Sequence, residues 1–426
     1  MNRTCILRGV VLCMLTSVAG VSAACAGGFQ SRELSARALG MANVLVAMPD
    51  DATAMYVNPA ALSFLTRTHL SLGTTLTFPE YTFIGVSPST QSTKMKSQAS
   101  YPPNACLAHG FANGIGIGIS VTNPYAVKTD WGAEWVGNSI VTSSELRSVQ
   151  VTPSASIRIG NHWSLGLGVQ VVFLRMDLNR RYGLSYASTI PMVYTTGSAD
   201  MTYGFEIGVM YVPDDVWRMG LALKSRTRSN IEQGTVTYSG VPGESGVMVM
   251  PNASYMSSVT LPDQVRAGVS VQPVSGLLLA GEVGLARWST FKNLLVRIGS
   301  PVYEQRFEQY GWKDAFAVRG GIELALNDLR LRAGIAYEES PIPDSQLRPS
   351  LPDAHSIVYA AGIGFEIEEG LVLDLGVQLL PHKKRTITES QVFYLPLALE
   401  NPAGYFNGTY DLSSTVVGLN VRYSWK

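Results

Sequence analysis

The chain has 426 residues with 32 basic and 32 acidic side chains, so its formal net charge is zero. No basic stripe or Lys/Arg run is present to neutralise phosphates, which argues against nucleic acid as a partner. Charged residues make up 15%, against ~25% for an average soluble domain. With 41 Gly and 19 Tyr, the mix is too polar for a helical membrane protein and too charge-poor for a typical cytosolic enzyme. It suits a sheet with one face in lipid and one in water.

The first element reads as a secretory signal over residues 1–26. Arg3 and Arg8 supply the basic start, and Val10–Ala19 is apolar but short of the ~20 residues a spanning helix needs. Ala24-Cys25-Ala26 fits the small-residue cleavage pattern, with Ala23 and Ala24 as other cut points. Cys5 and Cys13 fall in the signal, so a cut after Ala26 leaves Cys106 as the one thiol, with no intrachain disulfide.

Residues 27–67 come next. They are Ala- and Gly-rich, with loosely helical stretches over Ser31–Met41 and Asp51–Leu62. About forty residues is long for a lead-in. Their apolar content (Leu34, Leu39, Met41, Leu45, Met55) favours a packed plug over a flexible tail.

From residue 68 to 426, alternation of period two dominates. Trp163, Leu165, Leu167, Val169, Val171 and Phe173 share one face, and Ser164, Gly166, Gly168 and Gln170 share the other. No apolar run of 18 residues follows the signal, so a membrane reading has to be a closed barrel. The connections decide between barrel and soluble sandwich. Six tight junctions are expected near Asn113-Gly114, Gly160-Asn161, Pro213-Asp214-Asp215, Gln272-Pro273, Asn327-Asp328 and Glu368-Glu369-Gly370. Seven long polar connections, around 79–98, 123–145, 179–199, 230–259, 290–311, 339–353 and 387–410, alternate with them. Short periplasmic turns alternating with long extracellular loops predict an all-β fold, a 14-stranded antiparallel transmembrane barrel in the outer membrane. The last strand, Thr415–Trp425, ends on an aromatic suited to the interfacial girdle, with Lys426 after it.

Signals for chemistry are poor. His69, His109, His162, His355 and His382 are scattered, and neither a zinc-protease motif nor a nucleophile elbow occurs. Gly114-Ile115-Gly116-Ile117-Gly118 opens no helix, so it reads as a strand making room inside the barrel. No enzyme, metal or cofactor is expected. Two Asn-Pro motifs stand out. Asn58-Pro59-Ala60 ends the plug as a turn. Asn123-Pro124-Tyr125 ends the third strand, where proline cannot donate to a ladder.

Taken in order, the motifs resemble the long-chain fatty acid transporter (FadL) family of outer-membrane proteins over nearly the whole mature chain. Gly28-Phe29-Gln30 looks like that family's mature N-terminus. Leu39-Gly40, Asp50-Asp51-Ala52 and Asn58-Pro59-Ala60 look like its hatch. Leu261-Pro262, Trp288-Ser289-x-Phe291, Trp312-Lys313-Asp314-Ala315 and Arg332–Tyr337 with Ser340-Pro341-Ile342-Pro343 recur in its barrel. The resemblance implies a 14-stranded barrel closed by a lumenal hatch that includes Phe29, Asn58, Pro59 and Ala60. It implies a lateral opening at Asn123, Pro124 and Tyr125. Arg180 falls where the family's fatty acid transporter has a basic pocket residue, and Arg306 lies near a second such position, which Glu308 occupies. A guanidinium can hold a carboxylate by two hydrogen bonds, whereas Glu308 leaves uncharged ligands open. The expected function is passive uptake of hydrophobic compounds by a monomer in contact with outer-membrane lipid. The ligands would be long-chain fatty acids or aromatic hydrocarbons. The rivals are a water-filled porin and a structural or adhesive surface barrel.

Overall fold

A computed structural model describes residues 27–31, 34–86, 90–97, 99–181, 192–239, 252–299, 304–394 and 404–425. The expected signal, residues 1–26, lies outside the described residues. Strand β1 is Thr68–Gly85, β2 Pro103–Gly110, β3 Ile115–Thr122 resumed at Ala126–Asp130, β4 Ser143–Ile159 and β5 Trp163–Arg181. Next come β6 (Met192–Ser198 and Thr202–Tyr211), β7 (Trp217–Lys224 and Thr227–Ser239) and β8 (Ala253–Leu261 and Gln264–Val274). The circuit continues with β9 (Leu277–Ala286 and Asn293–Ile298), β10 (Glu304–Gln309 and Ala315–Leu326) and β11 (Leu329–Glu338). It ends with β12 (Ser356–Glu368), β13 (Leu371–Pro381) and β14 (Gly408–Ser424). Each pairs antiparallel with its neighbour, and β14 returns to β1 in register from His69↔Ser424 to Gly85↔Gly408. The sheet is thus a closed 14-stranded barrel. Closure leaves no edge, which lipid would penalise at every unpaired amide.

Side-chain alternation decides which way the barrel faces. Along β5, Trp163, Leu165, Leu167, Val169 and Phe173 are exposed on the outside, whereas Ser164 and Gln170 are buried in the lumen. From Trp163 to Phe173 a tilted strand climbs ~25 Å, the height of an outer-membrane apolar band. This inversion, with grease outside and polar groups within, is the signature of lipid as solvent.

Tight turns join the strands at one end, where Gly114, Gly160, Gly370 and Asn327 take positive φ. One junction is displaced from its expected place. β8 runs through Gln272-Pro273 with a register shift between Val271 and Val274, and the turn forms at Gly276, φ +84°. Pro273 sits in the irregularity because it has no N–H to give a regular ladder. Gly276 takes a backbone angle that side chains resist. The long connections carry more strand than their polar sequence suggests. β7 extends to Ser239 and β8 begins at Ala253, inside the expected 230–259 loop. There the inner face stays packed, with Ser229, Ile231, Val236, Tyr255 and Val259 buried, so strand pairing continues through a polar sequence.

Residues 34–65 fill the lumen. The loosely helical stretches expected there are one short helix, α1 (Ala36–Gly40), and 3-10 turns at Ala52–Tyr56 and Pro59–Phe64. Ala42 and Asn43 at positive φ stop the first. Ser35, Asp51 and Asn58 cap the three starts through side-chain acceptors. The segment touches the wall closely. Inward glycines lie in register as Gly166↔Gly208, Gly220↔Gly268 and Gly362↔Gly376. A Cβ on Gly362 would stand 2.9 Å from Gly40 Cα, and one on Gly166 or Gly208 would strike Ala60 or Asn58. Glycine here supplies space for a second backbone.

Candidate functional site

The plug is fastened by charges that the barrel turns inward. Arg37, 3% exposed, reaches Glu323 at 2.8 Å, Asp50 at 3.0 Å and Asp51 at 3.2 Å. Glu323 also meets Arg332, which pairs with Asp374 at 2.7 Å. Across the lumen Glu282 Oε2 accepts the Leu45 and Val46 amides, each at 3.0 Å. Asn58 gives the third attachment. Its Nδ2 donates to Val46 O at 2.8 Å and Val209 O at 3.3 Å, while its Oδ1 caps the Ala60 amide at 3.1 Å. Pro59 opens that turn, and the Ala60 carbonyl accepts from Ser164 Oγ at 2.8 Å.

Above the plug lies an aromatic cage with Phe29 inside it. Phe29 is 1% exposed, and its ring centroid is 4.7 Å from Trp288, 5.6 Å from Trp312, 5.7 Å from Phe291 and 6.0 Å from Tyr125. Edge-on contacts of this kind stabilise by roughly 0.5–1.5 kcal/mol each beyond burial. Beside Phe29 is a cavity of about 60 Å³ lined by Met176, Leu178, Val259, Phe291, Leu294 and other apolar side chains. Its polar lining includes Glu145 and Asp177 as well as a corner formed by Arg348, Glu308 and Tyr310. Arg348 lies 4.9 Å over the Tyr310 ring and 3.5 Å from Glu308, to which the Tyr310 hydroxyl also donates at 3.0 Å. Burial pushes the Tyr310 phenol well above its ordinary range, so it stays a donor. Arg348 Nε is buried with no acceptor among the described residues.

A second cavity, about 40 Å³, lies on the other side of the N-terminal segment. Gln30, Ser31, Asn123, Pro124, Glu206, Lys224, Gln264 and Arg266 are among its walls. Gln30 donates to Gln264 at 3.1 Å, and Gln264 donates to the Tyr125 hydroxyl at 3.0 Å.

At Asn123-Pro124-Tyr125 the third strand breaks and then resumes. Thr122 pairs with Gln150 but Ala126 pairs with Arg147, a shift of one position. On its other side, β2 pairs β3 only between Ala105↔Val121 and Gly110↔Gly116. Asn123 Nδ2 donates to Pro103 O at 2.6 Å. Beyond that point the N-terminal segment supplies partners. Ser31 N donates to Pro124 O at 2.8 Å, Ala126 N donates to Phe29 O at 3.0 Å, and Gln30 bridges Tyr125.

The sequence-derived residues therefore fall in different places. Phe29 and Tyr125 meet in the cage, and Asn123 and Pro124 line the second cavity. Asn58, Pro59 and Ala60 sit lower, against the wall. Arg180 lies on β5 opposite Val193, two positions beyond Leu178 on the same face, and is not among the lining residues of the 60 Å³ cavity. Arg306 lies on β10 opposite Val296, and its side chain is outside the described residues. Arg348, Lys224 and Glu206 were not expected. Alternation in Phe205-Glu206-Ile207-Gly208 places Glu206 inward with Gly208, a signal available from sequence. Arg348 sits in a loop, where no periodicity points to it.

A family model described as "Outer membrane protein transport protein (OMPP1/FadL/TodX)" matches residues 17–425. The chain belongs to that family. This FadL-family protein is 24% identical over 405 residues to the long-chain fatty acid transport protein of Escherichia coli K12, covering 85% of this chain and 89% of that one. It is 23% identical to outer membrane protein P1 of Haemophilus influenzae, with 97% of each covered. Among solved structures it resembles a Pseudomonas aeruginosa FadL homologue (TM-score 0.81, 17% identity, covering 94% of this chain and 100% of that one). It also resembles the Pseudomonas putida toluene transporter TodX (TM-score 0.72, 14% identity, 93% and 99% covered). At these identities the structures establish the barrel fold. The FadL-family barrel is an outer-membrane protein. The family is one of transport proteins rather than enzymes.

Proposed function

We propose that this protein takes up hydrophobic compounds passively through the outer membrane and releases them sideways at Asn123-Pro124-Tyr125. One observation carries the reading. The segment Phe29-Gln30-Ser31 is at once the wall of the apolar cavity and the backbone partner of the broken strand. A cavity of about 60 Å³ is well below the ~150 Å³ that accommodates benzene in an engineered core. A ligand must therefore displace side chains, and Phe29 is the one on a short segment. Displacing Phe29 also withdraws Gln30 and Ser31 from β3. An apolar ligand gains ~25 cal/mol per Å² on leaving water, so lipid is the favoured destination.

Long-chain fatty acids are the preferred ligand, because Arg348 gives the apolar cavity a cationic corner with an unpaired donor. Arg180, on the face of Met176 and Leu178 one step outward, is the entrance contact of this reading, and Arg306, two positions before Glu308 on β10, is the second basic candidate. Aromatic hydrocarbons are the second reading. The cage of Trp288, Phe291 and Trp312 favours them, and Glu308 beside Arg348 offsets its charge. The test is uptake of labelled oleate and toluene by cells lacking their own channel, with and without this protein. Faster entry of either compound is expected. No change in both sinks transport, and a large steady ion conductance with the plug intact would make it a porin.

A further inference from the structure

The second cavity is polar, although it lies beside the opening through which an apolar molecule would leave. Its chemistry is specific. Lys224 Nζ, on a side chain 16% exposed, is 2.8 Å from Gln150 Oε1 and 3.5 Å from Glu206 Oε1. Glu206 is 2% exposed. Its Oε1 takes Gln150 and Gln170 as further donors, at 3.2 Å and 3.1 Å. Its Oε2 is buried with no partner among the described residues. Three strands meet here: Glu206 comes from β6, Lys224 from β7 and Arg266 from β8. Arg266 is committed to Glu282 at 3.3 Å, which leaves Lys224 as the cation that serves Glu206.

A buried carboxylate oxygen without a donor costs free energy, and more when charged. The site thus offers one donor, Lys224 Nζ, and asks for another at Glu206 Oε2. A hydrocarbon has neither group to give. A hydroxyl or protonated carboxyl both accepts and donates.

We infer that Lys224 and Glu206 form a receiving site for the polar head of an amphiphile, taken up as a carboxyl or hydroxyl group beside the strand break. This rests on the uptake reading above and narrows it to headed ligands, such as fatty acids. Gln30 and Gln264 stand between this cavity and the cage, so the head arrives when the N-terminal segment shifts. Lys224 donates to the head's oxygen in place of Gln150, and the head donates to Glu206 Oε2. A fatty acid arriving as carboxylate has no proton to donate, so one proton is drawn from water and shared between the two carboxyls. The other titratable groups around Glu206 are Lys224, Arg266 and the Tyr125 phenol. None of them has to change state.

Two experiments on the full chain test this. Lys224→Met should slow uptake of a long-chain fatty acid and the matching fatty alcohol about tenfold, the value of one charge-assisted hydrogen bond, and leave toluene uptake unchanged. Lys224→Arg, which keeps a donor, should retain most of the fatty acid uptake. Equal loss for all three compounds would make Lys224 a wall residue and overturn the site, as would no loss for any. Should Lys224→Met fail to fold, titration calorimetry of decanoate on the native protein, in buffers of different ionisation enthalpy, decides. Uptake of about one proton for decanoate and none for decanol is expected. Decanoate binding without proton uptake overturns the site. If the native protein moves none of the compounds, the uptake reading itself falls. Native uptake that Lys224→Met leaves intact removes only the receiving site.

Discussion

The Ser31 amide donates to the Pro124 carbonyl across 2.8 Å, joining the N-terminal segment to the third strand of the barrel. With Ala126 N on Phe29 O, it makes Gln30 and Tyr125 a directly opposed antiparallel pair. The two hydrogen bonds flank that pair, so its Cα atoms are ~4.5 Å apart, within the reach of a disulfide. A Gln30→Cys, Tyr125→Cys protein should oxidise readily and block uptake, and reductant should restore it. Uptake that continues with the bond formed means ligand leaves elsewhere.

The break itself can be repaired. Pro124→Val with Asn123→Thr restores a backbone donor and removes the side-chain bond to Pro103 O. The barrel should fold and keep its heat-modifiable gel mobility, while uptake of apolar substrate slows. Normal uptake by the folded double variant would show the break to be only a bend in the strand.

Phe29 fills space that ligand is proposed to take. Phe29→Ala removes four ring contacts and costs the closed state about 3–5 kcal/mol. Binding of a fluorescent fatty acid should tighten by about tenfold or more, since that cost no longer opposes entry. Weaker binding would mean that Phe29 is a contact for the ligand rather than its stand-in.

Arg37 is the charge that ties the plug to the wall. Arg37→Met takes from Asp51 and Glu323 the cation they share, leaving Glu323 with Arg332, and breaking a buried pair costs about 3–5 kcal/mol. The cost falls on plug docking, because the barrel closes through β1 and β14 without it. Planar-bilayer recordings should show frequent openings, with heat-modifiable mobility retained. Silent recordings would place the fastening elsewhere, at Glu282 or Asn58.

Gly208 tests the close approach of plug and wall. A Cβ there would strike the Asn58 side chain. Gly208→Val should loosen the plug and raise conductance, whereas Gly281→Val, where a Cβ meets nothing closer than 3.9 Å, should not. Equal conductance in the two variants would mean that the plug adjusts.

The sequence by itself determined the solvent and the architecture. Trp163 to Phe173 alternate because lipid takes one face and the lumen the other. Turns such as Asn327-Asp328 and Gly370 are short because they return a strand at once, and that sorting of connections by length yields the strand number. Asn58-Pro59 and Asn123-Pro124 were legible because a missing N–H and a capping amide act locally. Only the tertiary structure decided the site. Periodicity says that Glu206 and Lys224 point inward, but not that strands β6 and β7 bring them to one height beside Pro124. Arg348 looks like any loop charge until its loop folds over Tyr310. Phe29 lies some 260 residues before Trp288 and Phe291, a separation set by closing the barrel around its own N-terminus. Faces are fixed by neighbours in the chain. Depth in the lumen, and which charge finds which partner, are fixed by closure of the whole sheet.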